Sequence, residues 1–152
     1  MLNPYYVTGF TEGEGSFYVS VSPRKLESVK WEVRPTFSLS QNKESRGILY
    51  QVKDFFGCGS VRPSTRDNTY RYEVRNLKEL NRMIIPHFRK FSLLTAGKKK
   101  DFEALCRVVE MMLQKRHLEE EGLKQIFVIL SQARPESKRV YNLKRLNELM
   151  NV

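Results

Sequence analysis

Two glutamates separated by one glycine, Glu12 and Glu14, lie within Val7-Thr8-Gly9-Phe10-Thr11-Glu12-Gly13-Glu14-Gly15-Ser16-Phe17. Upstream, Asn3-Pro4 reads as a helix N-cap followed by proline at the first helical position. Gly13 and Gly15 predict where that helix stops, so a helix is expected over Pro4 to Gly13. Both acids then stand at the negative end of the helix dipole, where a carboxylate is disfavoured by about 0.3 to 1 kcal/mol, and a cation is expected close by. Gly9 and Gly13 are one turn apart, a spacing that lets two helix backbones approach closely. Two copies packed through Gly9 and Gly13 would bring the glutamates of both chains to one point, with Glu12 serving as a cap or as scaffolding of that contact. Such a cluster is tolerable only if it is protonated or bridged by a divalent cation. The alternative offered by these residues alone is a surface helix ending in a glycine-rich turn with two solvated acids.

The elements that would position these groups follow from periodicity. Phe17, Val19 and Val21 alternate with Tyr18, Ser20 and Ser22, the pattern of a strand with one packed and one wet face. Trp31, Val33, Phe37 and Leu39 share one parity of a second strand, with Glu32, Arg34, Thr36, Ser38 and Ser40 on the other, and Pro35 predicts an edge or bulged position. Ile48, Leu49, Val52, Phe55 and Phe56 are spaced as on a helix over Glu44 to Phe56 that Gly57 and Gly59 close. Ser60 to Ser64 and Thr69 to Arg75 form a second hairpin around Arg66-Asp67-Asn68. From Leu77 onward the pattern is helical, with breaks expected at Pro86, at Thr95 to Gly97 and at Arg134-Pro135. The order is αββαββα plus extra C-terminal helices. This is an α+β class fold, with helices on one face of an antiparallel sheet.

The opposite face of that sheet carries hydrogen-bonding groups and little apolar bulk. It collects Tyr18, Ser20, Ser22, Arg24, Glu32, Arg34, Thr36, Ser38 and Ser40 from the first hairpin, and Ser60, Arg62, Ser64, Arg66, Arg71 and Glu73 from the second. The chain has 27 Lys+Arg against 17 Asp+Glu, a net charge of +10. A polar sheet face on so basic a protein suits DNA reading, the alternative being an ordinary solvated face. The charge by itself fits either a nucleic acid or an anionic membrane surface. No stretch approaches the roughly 20 apolar residues of a membrane span, and no secretory signal layout opens the chain, so a soluble intracellular protein without membrane association is expected. At 152 residues and 40% hydrophobic, one domain over residues 1–152 is expected. Cys58 and Cys106 stand far apart with no second pair at zinc spacing, which predicts reduced thiols.

The segment from Val7 to Phe17 resembles the LAGLIDADG motif of the homing endonucleases. Gly9-Phe10, Glu12-Gly13 and Glu14-Gly15 fall on its glycine and acidic positions, and Ser16-Phe17 continues as the family's first strand does. Val7 and Thr8 replace the more usual Leu and Ala, and both acids are Glu rather than Asp. Neither change removes a metal ligand. The αββαββα order is also the family's fold, so the resemblance extends over nearly the whole chain.

The resemblance implies a site-specific double-strand DNA endonuclease that hydrolyses phosphodiesters with a divalent metal. Mg²⁺ would be held by Glu14 with the Gly13 carbonyl, and Ca²⁺ would bind without supporting efficient cleavage. Gln41 and Lys98 correspond to the polar and basic residues beside the metals and the scissile phosphate, making Glu14, Gln41 and Lys98 the implied catalytic set. Lys99 and Lys100 would contact DNA, and which of the three lysines enters the site stays open. Arg46 is a further candidate for stabilising transition-state charge. One motif implies a homodimer on a long pseudo-palindromic site, although half of a two-motif protein has the same appearance. An intron-borne origin in a mitochondrion or chloroplast is a family implication. The alternative is an intron RNA-splicing maturase or a non-cleaving DNA-binding relative.

Overall fold

The computed structural model describes residues 1–23 and 31–135. Helix α1 (Pro4–Glu14) opens with Asn3 accepting the Tyr5 N–H at 2.8 Å and closes when the Gly15 N–H reaches the Thr11 carbonyl. It runs one residue beyond the predicted end, because Gly13 keeps helical geometry and Gly15 makes the turn into extended backbone. Strands β1 (Gly15–Pro23) and β2 (Trp31–Asn42) follow, then a 3₁₀ turn at Lys43–Ser45 and helix α2 (Gly47–Phe56). Strands β3 (Ser60–Pro63) and β4 (Thr69–Val74) complete a sheet of order β1-β2-β4-β3 among the described residues, antiparallel throughout. The order αββαββα is as expected.

Pro35 shows how a central strand tolerates proline. It pairs with Val19 on β1, but β4 joins β2 only from Phe37 onward. The stretch from Trp31 to Thr36 therefore has a single neighbour and one free edge, where a missing N–H breaks no ladder.

The odd-numbered residues of β1 and β2 face the helices. Phe17, Phe37, Leu39, Tyr72 and Val74 pack with Leu49, Val52, Leu80, Ile84 and Phe88 in one core. Val19, Trp31 and Val33 meet Val108, Ile126 and Phe127 in a second. Helices α5 (Ala96–Leu113) and α6 (Glu120–Ala133) thus cover the far end of the first hairpin, the role of the extra C-terminal segment.

Two helix breaks differ from expectation. Pro86 does not interrupt the chain: α3 (Leu77–Glu79) widens into a π turn at Leu80–Ile84 and continues as α4 (Ile85–Lys90). The proline falls in the first turn of α4, where a missing donor costs least. A break between α5 and α6 was not expected. Lys115 there takes a left-handed φ of 59°, with no glycine to signal it, and a 3₁₀ turn at Arg116–Leu118 follows. Arg134 then pairs with buried Asp101, pinning the end of α6 to the first half of α5. Cys58 and Cys106 are both free and buried, and burial pushes the Cys106 thiol up to about 12. Among the described residues no helix is long and apolar enough to cross a membrane.

Candidate active site and nucleic-acid interface

The end of α1 meets the start of α5, 82 to 83 residues away in the chain. Glu12 is held inside its own chain: its carboxylate accepts the Leu94 N–H at 2.7 Å and the Thr95 N–H at 3.1 Å. Thr95 is the N-cap of α5, so Glu12 satisfies the N-cap amide and the one before it at the positive end of that helix. Of the two roles open to Glu12, capping and scaffolding of a contact between copies, this geometry is that of a cap. The expected cation is Lys98, one turn into α5, whose Nζ donates to the Gly15 carbonyl. Lys99 and Lys100 are exposed, so of the three lysines it is Lys98 that lies against the motif.

Glu14 is different from Glu12. It is exposed and, among the described residues, makes no hydrogen bond or ion pair. Gly13 contributes one of the last four carbonyls of α1, which have no intrahelical partner. A carboxylate and a free carbonyl at the negative end of a helix are hard oxygen donors suited to Mg²⁺ or Ca²⁺. Among the described residues no group of three His, Cys, Asp or Glu could enclose a metal alone. A cation here would draw its remaining ligands from water, phosphate or another chain, which suits Mg²⁺.

The register extends the site across the sheet. Gly15 pairs with Leu39, so Gln41 lies two residues further, at the same end of the sheet as the end of α1. Its side-chain oxygen accepts the Asn42 N–H at 3.0 Å, leaving its amide donors free to turn outward. Arg46 lies over the Tyr70 ring, 5.3 Å from its centroid, and Tyr70 is the partner of Gln41. Gly15 itself has no room for a side chain: a Cβ would stand 2.6 Å from the Thr11 carbonyl and 3.0 Å from Leu39.

On the face away from the helices the residues form rows. Ser40, Arg71 and Arg62 are successive partners, at the level of Glu14; Ser16, Ser38, Glu73 and Ser60 form the next row; Tyr18 and Thr36 follow, then Ser20 and Arg34, then Ser22 and Glu32. A cavity of about 580 Å³ runs along β1 between this face, through Glu14, Ser16, Ser40 and Arg71, and the helices, through Asp101 and Arg134. Arg34, Arg62, Arg66 and Arg71 are exposed, and Ser64 lies half-buried at the hairpin turn. Arg24 lies outside the described residues.

Thr36 and Ser38 do not behave as expected for readers of a ligand. Both are buried, at 0% and 4% exposure, because short side chains on the strand in mid-sheet are overtopped by the larger Tyr18 and Glu73 paired with them. The Thr36 hydroxyl has no hydrogen-bond partner among the described residues. Two pairs of charged residues on this face are also engaged locally, Arg34 with Glu32 at 2.6 Å, and Arg71 with Glu73 at 3.5 Å.

Two features escaped the sequence reading. Arg75 continues the parity of Arg71 and Glu73 and joins Glu73 at 3.0 Å, a signal that the alternation carried. Within the motif, buried Thr8 donates to the Phe91 carbonyl at 2.9 Å and lies 3.1 Å from Nε2 of His87. With its one hydrogen spent on Phe91, the hydroxyl can only accept from His87, which fixes the Nε2–H tautomer. No local pattern couples residues 79 positions apart.

Residues 7–109 match the family model described as LAGLIDADG endonuclease. The chain belongs to the LAGLIDADG endonuclease family. It is 33% identical over 126 residues to "Probable intron-encoded endonuclease 2" of Neurospora crassa, covering 82% of this chain but 28% of that relative. A second Neurospora crassa relative, "Probable intron-encoded endonuclease 3", is 32% identical, and only 23% of it is covered. The chain thus spans about a quarter of the length of these curated relatives. Among solved structures, the homing endonuclease I-TnaI superposes with a TM-score of 0.81 at 33% identity, over 99% of this chain and 97% of that one. I-SmaMI bound to an uncleaved DNA target in the presence of calcium ions gives a TM-score of 0.87 at 31% identity, over 99% of this chain and 49% of that one. The αββαββα sheet described above is therefore the LAGLIDADG fold.

Proposed function

We propose that this LAGLIDADG chain is a site-specific double-strand DNA endonuclease that hydrolyses phosphodiester bonds with Mg²⁺ and acts as a homodimer. The observation that carries the reading is that Lys98 reaches the carbonyl of Gly15, the residue next to exposed Glu14, at one end of an arginine-bearing sheet face. An acid beside a phosphate repels it unless a cation lies between them, so a binding-only protein has no use for one there. Glu14 and the Gly13 carbonyl would hold Mg²⁺, which supplies Lewis-acid stabilisation of the charge that builds on the phosphoryl oxygens. Lys98, kept in place by the Gly15 carbonyl, lends its ammonium to the same charge. Gln41 orients water or phosphate through its free amide donors. The exposed arginines of the sheet face enter the major groove and select the sequence, while Lys99 and Lys100 neutralise phosphates.

The dimer is supported by α1 itself. Gly9 and Gly13 are exposed, and a Cβ on either would meet nothing within 4 Å. A glycine inside a helix costs about 1 kcal/mol relative to alanine, and among the described residues no packing contact requires one at either place. A second helix laid against them does. Tyr5, Tyr6 and Leu94, exposed at 71%, 49% and 81%, flank the same region with apolar surface. The match to nearly all of I-TnaI and to half of I-SmaMI fits a unit that works in pairs. An intron-encoded origin accords with the relatives' names, and with it a mitochondrial or plastid address.

The test is selection of cleaved duplexes from a randomised palindromic library in Mg²⁺. Recovery of one long two-fold-symmetric site, cut in both strands, is the expected result. Absence of any cleaved product, with folding verified, overturns the reading.

A further inference from the structure

Glu73 is an acid near the middle of a face that the rest of the chain makes basic. Its carboxylate joins Arg71 of its own strand through Oε1 at 3.5 Å and Arg75, just past the strand's end, through Oε2 at 3.0 Å. The acid is 18% exposed, whereas the arginines are 51% and 48% exposed. Its cross-strand neighbours, Ser38 and Ser60, are short and offer no competing charge. Arg71 faces Arg62 across β3, a like-charge pairing that is unfavourable unless an acid stands beside it.

Half-exposed pairs of this kind contribute little to folding, and a carboxylate on a DNA-facing surface weakens binding by repelling phosphate. The arrangement makes sense through the arginines. A guanidinium has five N–H donors, so one edge can rest on Glu73 while another remains for an outside acceptor. A long side chain otherwise loses much rotamer freedom when it docks, and one already held loses less. Gathering both heads on one carboxylate also brings them within about three base-pair rises of each other.

We propose that Glu73 is a positioning residue for sequence recognition, holding Arg71 and Arg75 so that each reads a guanine edge within one half-site. This rests on the DNA-reading function proposed above. Its signature is unusual: removing the charge should lower specificity without lowering general affinity.

The experiment measures binding of the full chain in Ca²⁺, at fixed salt, to the duplex recovered by library selection, to all its single-base-pair variants and to an unrelated duplex. Arg71→Ala and Arg75→Ala first identify the two positions these arginines read. Glu73→Gln should then reduce discrimination at those two positions from about ten-fold or more to under about three-fold. Preference elsewhere should stay, and affinity for the unrelated duplex should be equal or higher. In the Arg75→Ala background, Glu73→Gln should change nothing further at the Arg75 position, and Glu73→Ala, expected to lose the same discrimination, serves as the second variant if Glu73→Gln is poorly folded. An unchanged discrimination profile, or an equal loss on every duplex, overturns the proposal while leaving DNA reading intact. If the unmodified chain binds no duplex, the functional reading itself has failed and this one falls with it.

Discussion

Replacing Thr8 with valine tests whether the motif helix is anchored as described. Valine keeps the shape of the side chain and removes only the hydroxyl, which donates to the Phe91 carbonyl at 2.9 Å and receives the His87 N–H at 3.1 Å. His87 is 8% exposed and ringed by Phe55, Phe56, Phe88 and Phe91, so its N–H would find no water in exchange. An unsatisfied buried donor costs about 1 to 3 kcal/mol, and the half-buried Phe91 carbonyl adds little. The expected loss is about 2 kcal/mol, or about 4 to 8 °C in Tm for a chain of this size. Acid should act on the same spot. Burial lowers the His87 pKa to about 4 from 6.5, so the folded state resists a proton that the unfolded chain accepts. Its neutral form leaves stability unaffected above about pH 6.5; stability then falls as the pH drops from 6.5 towards 4, by up to about 3 kcal/mol. Thermal unfolding followed by circular dichroism at pH 7.5 and pH 5 measures both. A Thr8→Val variant melting within 1 °C of the unmodified protein at pH 7.5 would refute the anchoring argument.

Other expectations follow from the site and its supports. Gly9→Leu fills the open face of α1 and should give a monomer that binds DNA weakly and does not cut, read by light scattering after size exclusion; a monomeric unmodified protein, with and without DNA, would defeat the pairing argument. Glu12→Ala strips the cap from α5 and should cost about 1 to 2 kcal/mol in urea unfolding; no change would mean that water replaces it. Arg62→Ala should relax preference at one base pair per half-site by about 1 to 3 kcal/mol, whereas Lys99→Ala should weaken all sequences alike and lower the salt slope by about one unit per lost contact. A titration over several sites and salt concentrations separates the two, and equal weakening of every site by the arginine variant would rule out sheet-face reading.

Local pattern carried most of the fold. The alternation of Phe17, Val19 and Val21 with serines and tyrosine is dictated by one buried and one open face, and it gave the side of the sheet that packs. Breaks were legible only where composition marks them. Lys115 turns the chain with an ordinary side chain in left-handed geometry, which no residue type announces. Pro86 announces a break that an upstream π turn absorbs. At the site, motif spacing placed Glu14, and the dipole argument called for a cation that proved to be Lys98, 83 residues from the carbonyl it meets. The burial of Thr36 and Ser38 was not legible, because parity says which face a residue is on and not whether taller neighbours cover it. That Glu12 caps α5 in particular was not legible for a related reason: it depends on where a distant helix begins.

In the proposed function Glu14 holds the cation on which strand cleavage depends. Glu14→Gln preserves size and removes the charge. On the selected site it should abolish cleavage in Mg²⁺ while leaving affinity in Ca²⁺ within a few-fold of the unmodified chain. A Glu14→Gln protein that cuts both strands at the unmodified rate would contradict the account.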